Sequence, residues 1–166
     1  IVEDSDMFVG TPCQIPNISG LKVDLVCNGT PTRESFDKYC KYNSITNINF
    51  RDKRNGWNNY YITTNAFSES FRDNKYMKDF ISKRTLEERC KKCTLKSRAD
   101  ITLGDFWGIE HTYPAFDSYN GVSIVIIHTH KGLQCFNEIK DKMDYIKVDI
   151  NKAIKYNPNI NRGGLI

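Results

Sequence analysis

The alternation of short strand patterns with helical patterns constrains the fold of this chain more than any other feature. Seven segments have the apolar runs or period-two alternation of strands, bounded by turn residues: 7–9, 21–27, 45–50, 57–63, 100–103, 122–129 and 145–150. Three segments have helical spacing of apolar residues: 33–42, 74–83 and 133–143. This order predicts an α/β fold, a mixed sheet flanked by helices, with an inserted β-hairpin that turns at 54–56. The most apolar segment, 122–129, is predicted to be a central strand.

Length and composition predict one globular domain with a core of its own. The chain has 166 residues, enough to bury a sizeable core. We expect a single catalytic-type domain over 1–156 and a flexible C-terminal tail over 157–166, where Pro158, Gly163 and Gly164 disfavour regular structure. The chain begins at Ile1, so we expect a fragment of a longer architecture.

Charge and hydropathy argue against two classes of partner. The net charge of +4 comes from interspersed basic and acidic residues, without the basic block that marks a nucleic-acid tail. No apolar run in the sequence reaches the length that spans a bilayer. The expected partners therefore include neither nucleic acid nor membrane.

The cysteines carry most of the chemical information in this sequence. There are six, Cys13, Cys27, Cys40, Cys90, Cys93 and Cys135. An even number suits a disulfide framework in a small secreted protein, but a chain of this size does not need one. The sequence therefore favours a reducing, cytoplasmic compartment and thiols that bind metal.

Two cysteines lie close together in the sequence. Cys90 and Cys93 are separated by two lysines and follow Arg89. Two thiolates at this spacing can bind one metal ion or one cluster, and the neighbouring cations favour the thiolate form. The same pair also suits zinc or a redox disulfide.

Two further cysteines each follow a predicted strand and lie beside turn residues. Cys13 comes after Gly10-Thr11-Pro12, and Cys27 comes before Asn28-Gly29. Adjacent strand ends of an α/β sheet share one edge, where ligand sites form, so four cysteines from three segments could meet around one centre. Spacing alone favours this interpretation no more than the alternative, in which Cys13 and Cys27 are small buried hydrophobic residues.

Six segments form an ordered set of motifs. They are GTPCQ at 10–14, VDLVCNGTP at 23–31, INFRDKRNGW at 48–57, CKKC at 90–93, ADITLGDFWGI at 99–109 and GVSIVIIHTHKG at 121–132. Together they resemble the C-terminal region of the coenzyme F-420 hydrogenase/dehydrogenase beta subunit family, a group of iron–sulfur flavoproteins. The resemblance extends over the chain from about residue 7 to residue 160. It implies a 4Fe–4S cluster held by Cys13, Cys27, Cys90 and Cys93, together with a flavin, usually FAD. Cys40 and Cys135 fall outside the motifs and are interpreted as packing residues.

The first candidate wall of a flavin site is the hairpin. Arg51 and Lys53 offer two cations that could hold a diphosphate or the anionic edge of a reduced flavin. Without the resemblance, a surface hairpin with solvated charges is the favoured interpretation.

The second candidate wall is the turn at 104–108, where Gly104, Asp105 and Trp107 are the candidate flavin-binding residues. Glycines allow close backbone approach, and aromatic rings can stack on the isoalloxazine. A turn anchored by a buried tryptophan explains the same residues. Further along, His128 and His130 alternate at a strand end, a pattern more often found on polar surfaces than in metal pairs.

The sequence thus predicts an oxidoreductase domain for electron transfer. By the resemblance, a two-electron donor such as reduced coenzyme F-420 exchanges hydride with the flavin, single electrons pass to the cluster, and the expected further partner is a redox protein or another subunit. No side chain is singled out as an acid–base catalyst. The stretch 14–22 is shorter than the family pattern. The alternatives are a zinc-stabilised interaction domain without enzymatic activity and a thiol–disulfide exchanger that uses Cys90 and Cys93.

Overall fold

The computed structural model describes residues 7–17, 19–116 and 118–162 of the chain. In chain order the strands are β1 (Met7–Gly10), β2 (Leu21–Leu25), β3 (Ile48–Asp52), β4 (Tyr61–Thr64), β5 (Ser68–Ser70), β6 (Ile101–Asp105) and β7 (Ser123–Ile127). The helices are α1 (Arg33–Tyr42), α2 (Lys75–Ile81), α3 (Glu88–Lys91), α4 (Ile109–Thr112), α5 (His130–Ile139) and α6 (Ile150–Tyr156). Three 3-10 helices cover Trp57–Asn59, Lys140–Lys142 and Pro158–Asn161. No helix in these described ranges is long and apolar enough to cross a membrane.

The chain divides into two compact units. The first comprises Ile1–Cys27, Thr94–Phe116 and Val122–Ile166, and the second comprises Asn28–Cys93 and Asp117–Gly121. The division was not anticipated from the sequence. Whether residues 1–156 act as the single domain that we expect stays a prediction.

A four-stranded mixed sheet organises the first unit. Its strand order is β1-β2-β6-β7. The first three strands are parallel, and β7 runs antiparallel to β6. The predicted α/β class with a mixed sheet is therefore confirmed. The prediction of a central position for 122–129 is wrong, because β7 lies at an edge of the sheet. Its high apolar content reflects burial of alternate residues such as Ile124 in the core on one face.

The register of this sheet decides which side chains share a face. Asp24 on β2 lies opposite Thr102 on β6, and Thr102 lies opposite Ile126 on β7. Since side chains alternate along each strand, the same face carries Ile124 and, beyond β6, Phe106. The core of the first unit lies there, built from Phe106, Ile109, Ile124, Ala153 and Ile160.

The second unit combines a small sheet with three helices. Thr32 caps α1 by accepting a hydrogen bond from the Ser35 amide, as expected of an N-cap threonine. The predicted hairpin is part of a three-stranded antiparallel sheet in the order β3-β4-β5. The return strand begins at Tyr61, later than predicted, because Trp57–Asn59 forms a 3-10 helix. An aromatic cluster joins α1, β3 and α2 through the rings of Phe36, Tyr39, Phe50 and Tyr76.

Two predictions near the C-terminus need correction. The segment 145–150 forms no strand: Asp149 caps α6 by accepting from the Asn151 amide, and Ile150 is the first residue of that helix. Val148 and Ile150 pack against the core without a strand partner. The predicted flexible tail contains the 3-10 helix Pro158–Asn161, in which Ile160 is 0% exposed. Gly163 and Gly164 lie outside the described residues.

Burial of Ile160 makes the end of the chain part of the core, which can be tested by truncating its side chain. We expect Ile160→Ala to lower the free energy of unfolding by about 2–5 kcal/mol, because a large buried aliphatic group is lost and a cavity is left. Ile146→Ala is the matched control, since Ile146 is 42% exposed and should lose less than about 1 kcal/mol. Urea unfolding followed by circular dichroism gives both values. Equal losses in the two variants would contradict the packing of Ile160.

Candidate functional site

Cys13 and Cys27 both follow the carboxyl ends of neighbouring parallel strands. Cys13 lies in the turn after β1, where the Gln14 amide donates to the Thr11 carbonyl at 2.8 Å and the Thr11 hydroxyl lies 3.2 Å from Cys13 Sγ. Cys27 comes two residues after β2, beyond Val26, whose amide donates to the Leu103 carbonyl at 2.8 Å. Because β1 and β2 are parallel, their carboxyl ends share the edge where α/β sheets bind ligands.

Cys90 lies in a backbone environment suited to a metal-bound thiolate. It belongs to the short helix α3, and its sulfur accepts a hydrogen bond from the Thr30 amide at 3.4 Å. Gly29 has φ +126°, and a Cβ there would lie 2.7 Å from the Leu86 side chain and 3.0 Å from the Cβ of Cys90. Only glycine therefore fits. Amide donation to a thiolate sulfur is one of the interactions that set the potential of protein-bound clusters.

Backbone pairing holds the CNGTP and CKKC segments together within the second unit. Pro31 forms an antiparallel bridge with Leu86. The Thr32 amide donates to the Thr85 carbonyl, and the Glu87 amide donates to the Thr30 carbonyl, at 2.8 and 2.9 Å. Since the sequence separation exceeds fifty residues, spacing could not have predicted this pairing.

The structure also places Cys93, the last predicted ligand, and the two cysteines outside the motifs, Cys40 and Cys135. Cys93 follows α3, and its amide donates to the Cys90 carbonyl at 3.4 Å. Cys40 lies within α1 and Cys135 within α5. Cys13 is exposed, and the other five cysteines are partly buried.

Convergence of the four predicted ligands stays a prediction. Cys13 and Cys27 belong to the first unit, and Cys90 and Cys93 to the second. Among the described residues, no group of three or more His, Cys, Asp or Glu side chains lies close enough to hold a metal ion. The chemistry of the donor set, four cysteine thiols, fits an iron–sulfur cluster.

The two predicted cations of the hairpin lie over one aromatic side chain. The guanidinium carbon of Arg51 is 5.7 Å from the ring centroid of Trp57 and 5.3 Å from that of Tyr60. Lys53 Nζ is 5.8 Å from the Trp57 centroid. The pairing of β3 with β4 shifts between Asn49 and Asp52, an irregularity of the kind that re-aims side chains. Two cations above buried rings form a surface that can attract a phosphate or another anion.

The third cation of the hairpin has a different role. Arg54 pairs with Asp52 at 2.6 Å, and Thr63 Oγ1 donates to the same carboxylate at 2.7 Å. Hydrogen bonds from Arg54 and from Thr63 hold the pKa of Asp52 at about 2. Arg54 is thus engaged in an ion pair with Asp52.

Close packing explains both glycines of the turn at 104–108. A Cβ on Gly104 would lie 2.6 Å from Val26 Cγ2, and one on Gly108, which has φ +77°, would overlap the ring of Tyr156. The buried aromatic ring of this turn is Phe106, and Trp107 is only partly buried. The Asp105 carbonyl accepts from Asn157 Nδ2 at 3.1 Å. A role for Gly104, Asp105 and Trp107 in flavin binding stays a prediction.

Sequence reasoning did not single out the buried polar side chains of the first unit. Thr102 Oγ1 donates to Asp24 Oδ1 at 2.5 Å and lies 2.8 Å from His128 Nε2. Asp24 is 0% exposed and Thr102 is 1% exposed. The available signal was a carboxylate within the apolar run VDLVC, on the face that the core occupies.

Asp100, close to this cluster, is fully hydrogen-bonded. Its carboxylate accepts from Thr129 Oγ1 at 2.7 Å and from the Lys22 amide at 2.9 Å. Burial raises the pKa of Asp100, but these hydrogen bonds and the charges of Lys22 and Lys131 outweigh burial, so that the pKa lies below its usual value.

These features define an α/β domain with two thiols, Cys13 and Cys27, at the edge of a parallel strand pair, and comparison with known proteins gives the family. The chain belongs to the coenzyme F420 hydrogenase/dehydrogenase family defined by the C terminus of the beta subunit, and the match extends over residues 5–152. All four predicted cluster ligands and all five predicted flavin-binding residues lie in that range.

The fold is similar to that of a chain in the xenon-derivatised F420-reducing [NiFe] hydrogenase complex from Methanosarcina barkeri. The TM-score is 0.57 at 14% sequence identity, over 96% of this chain and 59% of that chain. At this identity the likeness shows the fold alone, and the chain spans about three fifths of the length of that neighbour. Among curated proteins, none matches this chain.

The Asp52–Arg54 pair should make the second unit sensitive to acid. Since the pKa of Asp52 is lowered from 3.8 to about 2 in the folded chain, its contribution to stability is complete above about pH 4 and is lost as the pH falls through 2. We expect Asp52→Asn to show a smaller loss of stability between those values than the unsubstituted chain. Asp73→Asn, at an exposed carboxylate, is the control. Urea unfolding at several acidic pH values measures the difference, and parallel pH profiles for the unsubstituted chain and Asp52→Asn would contradict this role.

Proposed function

We propose that this chain is the redox domain of an iron–sulfur flavoprotein, an oxidoreductase that takes electrons from a two-electron donor of the deazaflavin type. The expected cofactors are FAD and a 4Fe–4S cluster, and the expected partners are reduced coenzyme F-420 and a redox partner protein or subunit. When bound, such cofactors supply hydride and single-electron chemistry, while the protein sets their positions and potentials.

Membership of the family is the observation that carries this proposal. The match runs over residues 5–152 and includes every motif cysteine. The geometry of the individual thiols supports it: Cys13 and Cys27 follow parallel strand ends, and Cys90 accepts an amide hydrogen bond beside a glycine that no other residue could replace. Arg89, Lys91 and Lys92 surround the CKKC pair with positive charge, which offsets the negative charge of thiolate ligands.

The hairpin supports the flavin part of the proposal. Arg51 and Lys53 are exposed and lie over the rings of Trp57 and Tyr60. This geometry keeps both cations at one surface, where they can bind the diphosphate of FAD through charge-assisted hydrogen bonds.

Substitution of the cysteines tests the cluster. After anaerobic reconstitution with iron, sulfide and FAD, we expect the unsubstituted chain to bind iron and sulfide in equal amounts with a broad visible absorption. Cys90→Ser and Cys93→Ser should lose most of this iron, since each removes one of four ligands. Cys40→Ser and Cys135→Ser are matched controls on helices outside the ligand set and should retain it.

Other outcomes of this experiment would redirect the assignment. Zinc bound in place of iron, with loss of the folded state on chelation, would support the zinc-stabilised domain. Disulfide exchange that survives Cys13→Ser and Cys27→Ser would support the thiol exchanger. Iron retained in Cys90→Ser at the level of Cys40→Ser would overturn the proposed ligand set.

Loss of the hairpin cations tests the flavin site. We expect the double substitution Arg51→Ala, Lys53→Ala to weaken FAD binding roughly tenfold or more, because charge-assisted hydrogen bonds contribute about 1.5–3 kcal/mol each. Lys38→Ala, Lys78→Ala removes the same charge from exposed positions on α1 and α2 and should leave FAD affinity unchanged. Fluorescence titration with FAD gives both constants. Equal affinity in the two double variants would count against the hairpin.

A further inference from the structure

The buried polar side chains of the first unit form a series from the surface to the interior of the sheet. His128 follows β7 and is exposed, whereas Thr102 and Asp24 are fully buried. Thr102 Oγ1 is 2.8 Å from His128 Nε2 and 2.5 Å from Asp24 Oδ1. The three side chains are therefore hydrogen-bonded in series, with the hydroxyl in the middle.

The donor and acceptor in each hydrogen bond of this series follow from the number of protons that the Thr102 hydroxyl has. A threonine hydroxyl has one proton and can accept others on its lone pairs. While Asp24 is ionised, Thr102 Oγ1 donates to Asp24 Oδ1, and His128 Nε2 is then the donor to Thr102. Neutral His128 is then the Nε2–H tautomer, and its Nδ1 is the ring nitrogen left to take a proton. The backbone of His128 is fixed separately, since its amide donates to the Asp100 carbonyl at 2.9 Å.

The Asp24 carboxylate is hydrogen-bonded at one of its two oxygens only. Packing alone does not explain a buried side chain of this kind. Its Oδ2 is buried and has no hydrogen-bond partner among the described residues. A buried polar atom that lacks a hydrogen bond is costly in free energy. Asp100 provides the contrast, because its carboxylate is bonded by Thr129 and by the Lys22 amide. The charges of Lys22 and Lys131 both act on the Asp100 carboxyl.

We propose that His128, Thr102 and Asp24 form a proton relay, in which His128 exchanges protons with solvent and Asp24 holds a proton inside the sheet. In the inward direction the Nε2–H bond of the His128 imidazolium breaks as Thr102 Oγ1 accepts that proton, and the original hydroxyl proton of Thr102 passes to Asp24. His128 is left neutral, Asp24 becomes a carboxylic acid, Thr102 is unchanged and no electron moves. The outward direction reverses these steps.

The use of the relay rests on the proposed function. A hydride donor delivers two electrons together with a proton, but single electrons leave without protons, so the protons left behind have to reach solvent. Asp24 lies on β2 three residues before Cys27, on the strand that leads to a predicted cluster ligand. His128 is the residue that exchanges protons with solvent, Thr102 passes the proton on, and Asp24 holds it.

The hydrogen-bonded series can be tested without any cofactor. Nitrogen-15 NMR of the three histidines at a pH where they are neutral reports the tautomer of each ring. We expect one defined His128 tautomer in the unsubstituted chain and in Thr102→Ser, which keeps the hydroxyl: Nε2–H while Asp24 is ionised, and Nδ1–H once Asp24 holds the proton. Thr102→Val has the same shape without the hydroxyl and should give a mixture of tautomers. The same His128 tautomer in Thr102→Val as in the unsubstituted chain would overturn the relay.

Proton transfer itself is tested in the protein loaded with cluster and FAD. We expect His128→Ala to slow reoxidation by a one-electron acceptor about 100-fold, the usual scale for a positioned proton-transfer group, and added imidazole to restore the rate. Asp24→Asn keeps an oxygen that can accept from Thr102 but cannot take up a proton. Asp24→Asn should slow reoxidation to a similar extent, and added imidazole should not restore the rate. His130→Ala, at an exposed histidine two residues along, should keep the original rate.

The outcomes separate the relay from the proposed function. An unchanged rate in His128→Ala would overturn the relay, and rescue by imidazole distinguishes a lost proton-transfer group from a loss of folding. Failure to bind flavin or cluster would refute the proposed function, while the NMR result would still decide whether the three residues form the series.

Discussion

Parallel pairing of β2 with β6 is the constraint on which the first unit depends. It aligns Val23 with Ile101 and Asp24 with Thr102, and thereby sends one set of side chains to each face. Parallel pairing of β1 with β2 in the same sheet brings the carboxyl ends of these two strands to one edge. Cys13 and Cys27 follow these two ends, so the sheet that builds the core also sets the positions of two predicted cluster ligands.

The second unit is organised by contacts between distant segments rather than by one sheet. The bridge between Pro31 and Leu86 and the close approach of Gly29 to Cys90 tie the start of this unit to its end. The aromatic rings of α1, β3 and α2 fill the space between, with Tyr39 and Tyr76 stacked at 4.5 Å. The backbone around Cys90 is therefore tied to the start of the unit by the bridge at Leu86 and by the close packing at Gly29.

The sequence predicted local features of this fold well and long-range features less well. Helix α1 has the predicted bounds because Thr32 is an N-cap signal that acts within one turn. The edge position of β7 could not be read from its composition, since an apolar run is equally compatible with a buried centre or with an edge that covers a core. The coil at 145–149 was mistaken for a strand because Ile146 and Val148 alternate, and that pattern does not reveal whether a partner strand exists. The packing of Ile160 depends on contacts with distant residues such as Phe106 and Ala153.

In the candidate site, too, the sequence predicted local features better than long-range ones. Motifs identified the cysteines and the hairpin cations, because residue type and order are visible in one dimension. They did not identify Asp24 or Thr102, although both lie inside the motifs VDLVC and ADITLGDFWGI, because their importance comes from cross-strand register. A carboxylate placed on the core face of a parallel strand costs free energy unless it is paired or can be protonated. Thr102 satisfies one oxygen of Asp24 and connects it to a histidine at the surface. The second oxygen has no hydrogen-bond partner among the described residues, and this is the physical reason to expect a role for Asp24 beyond packing.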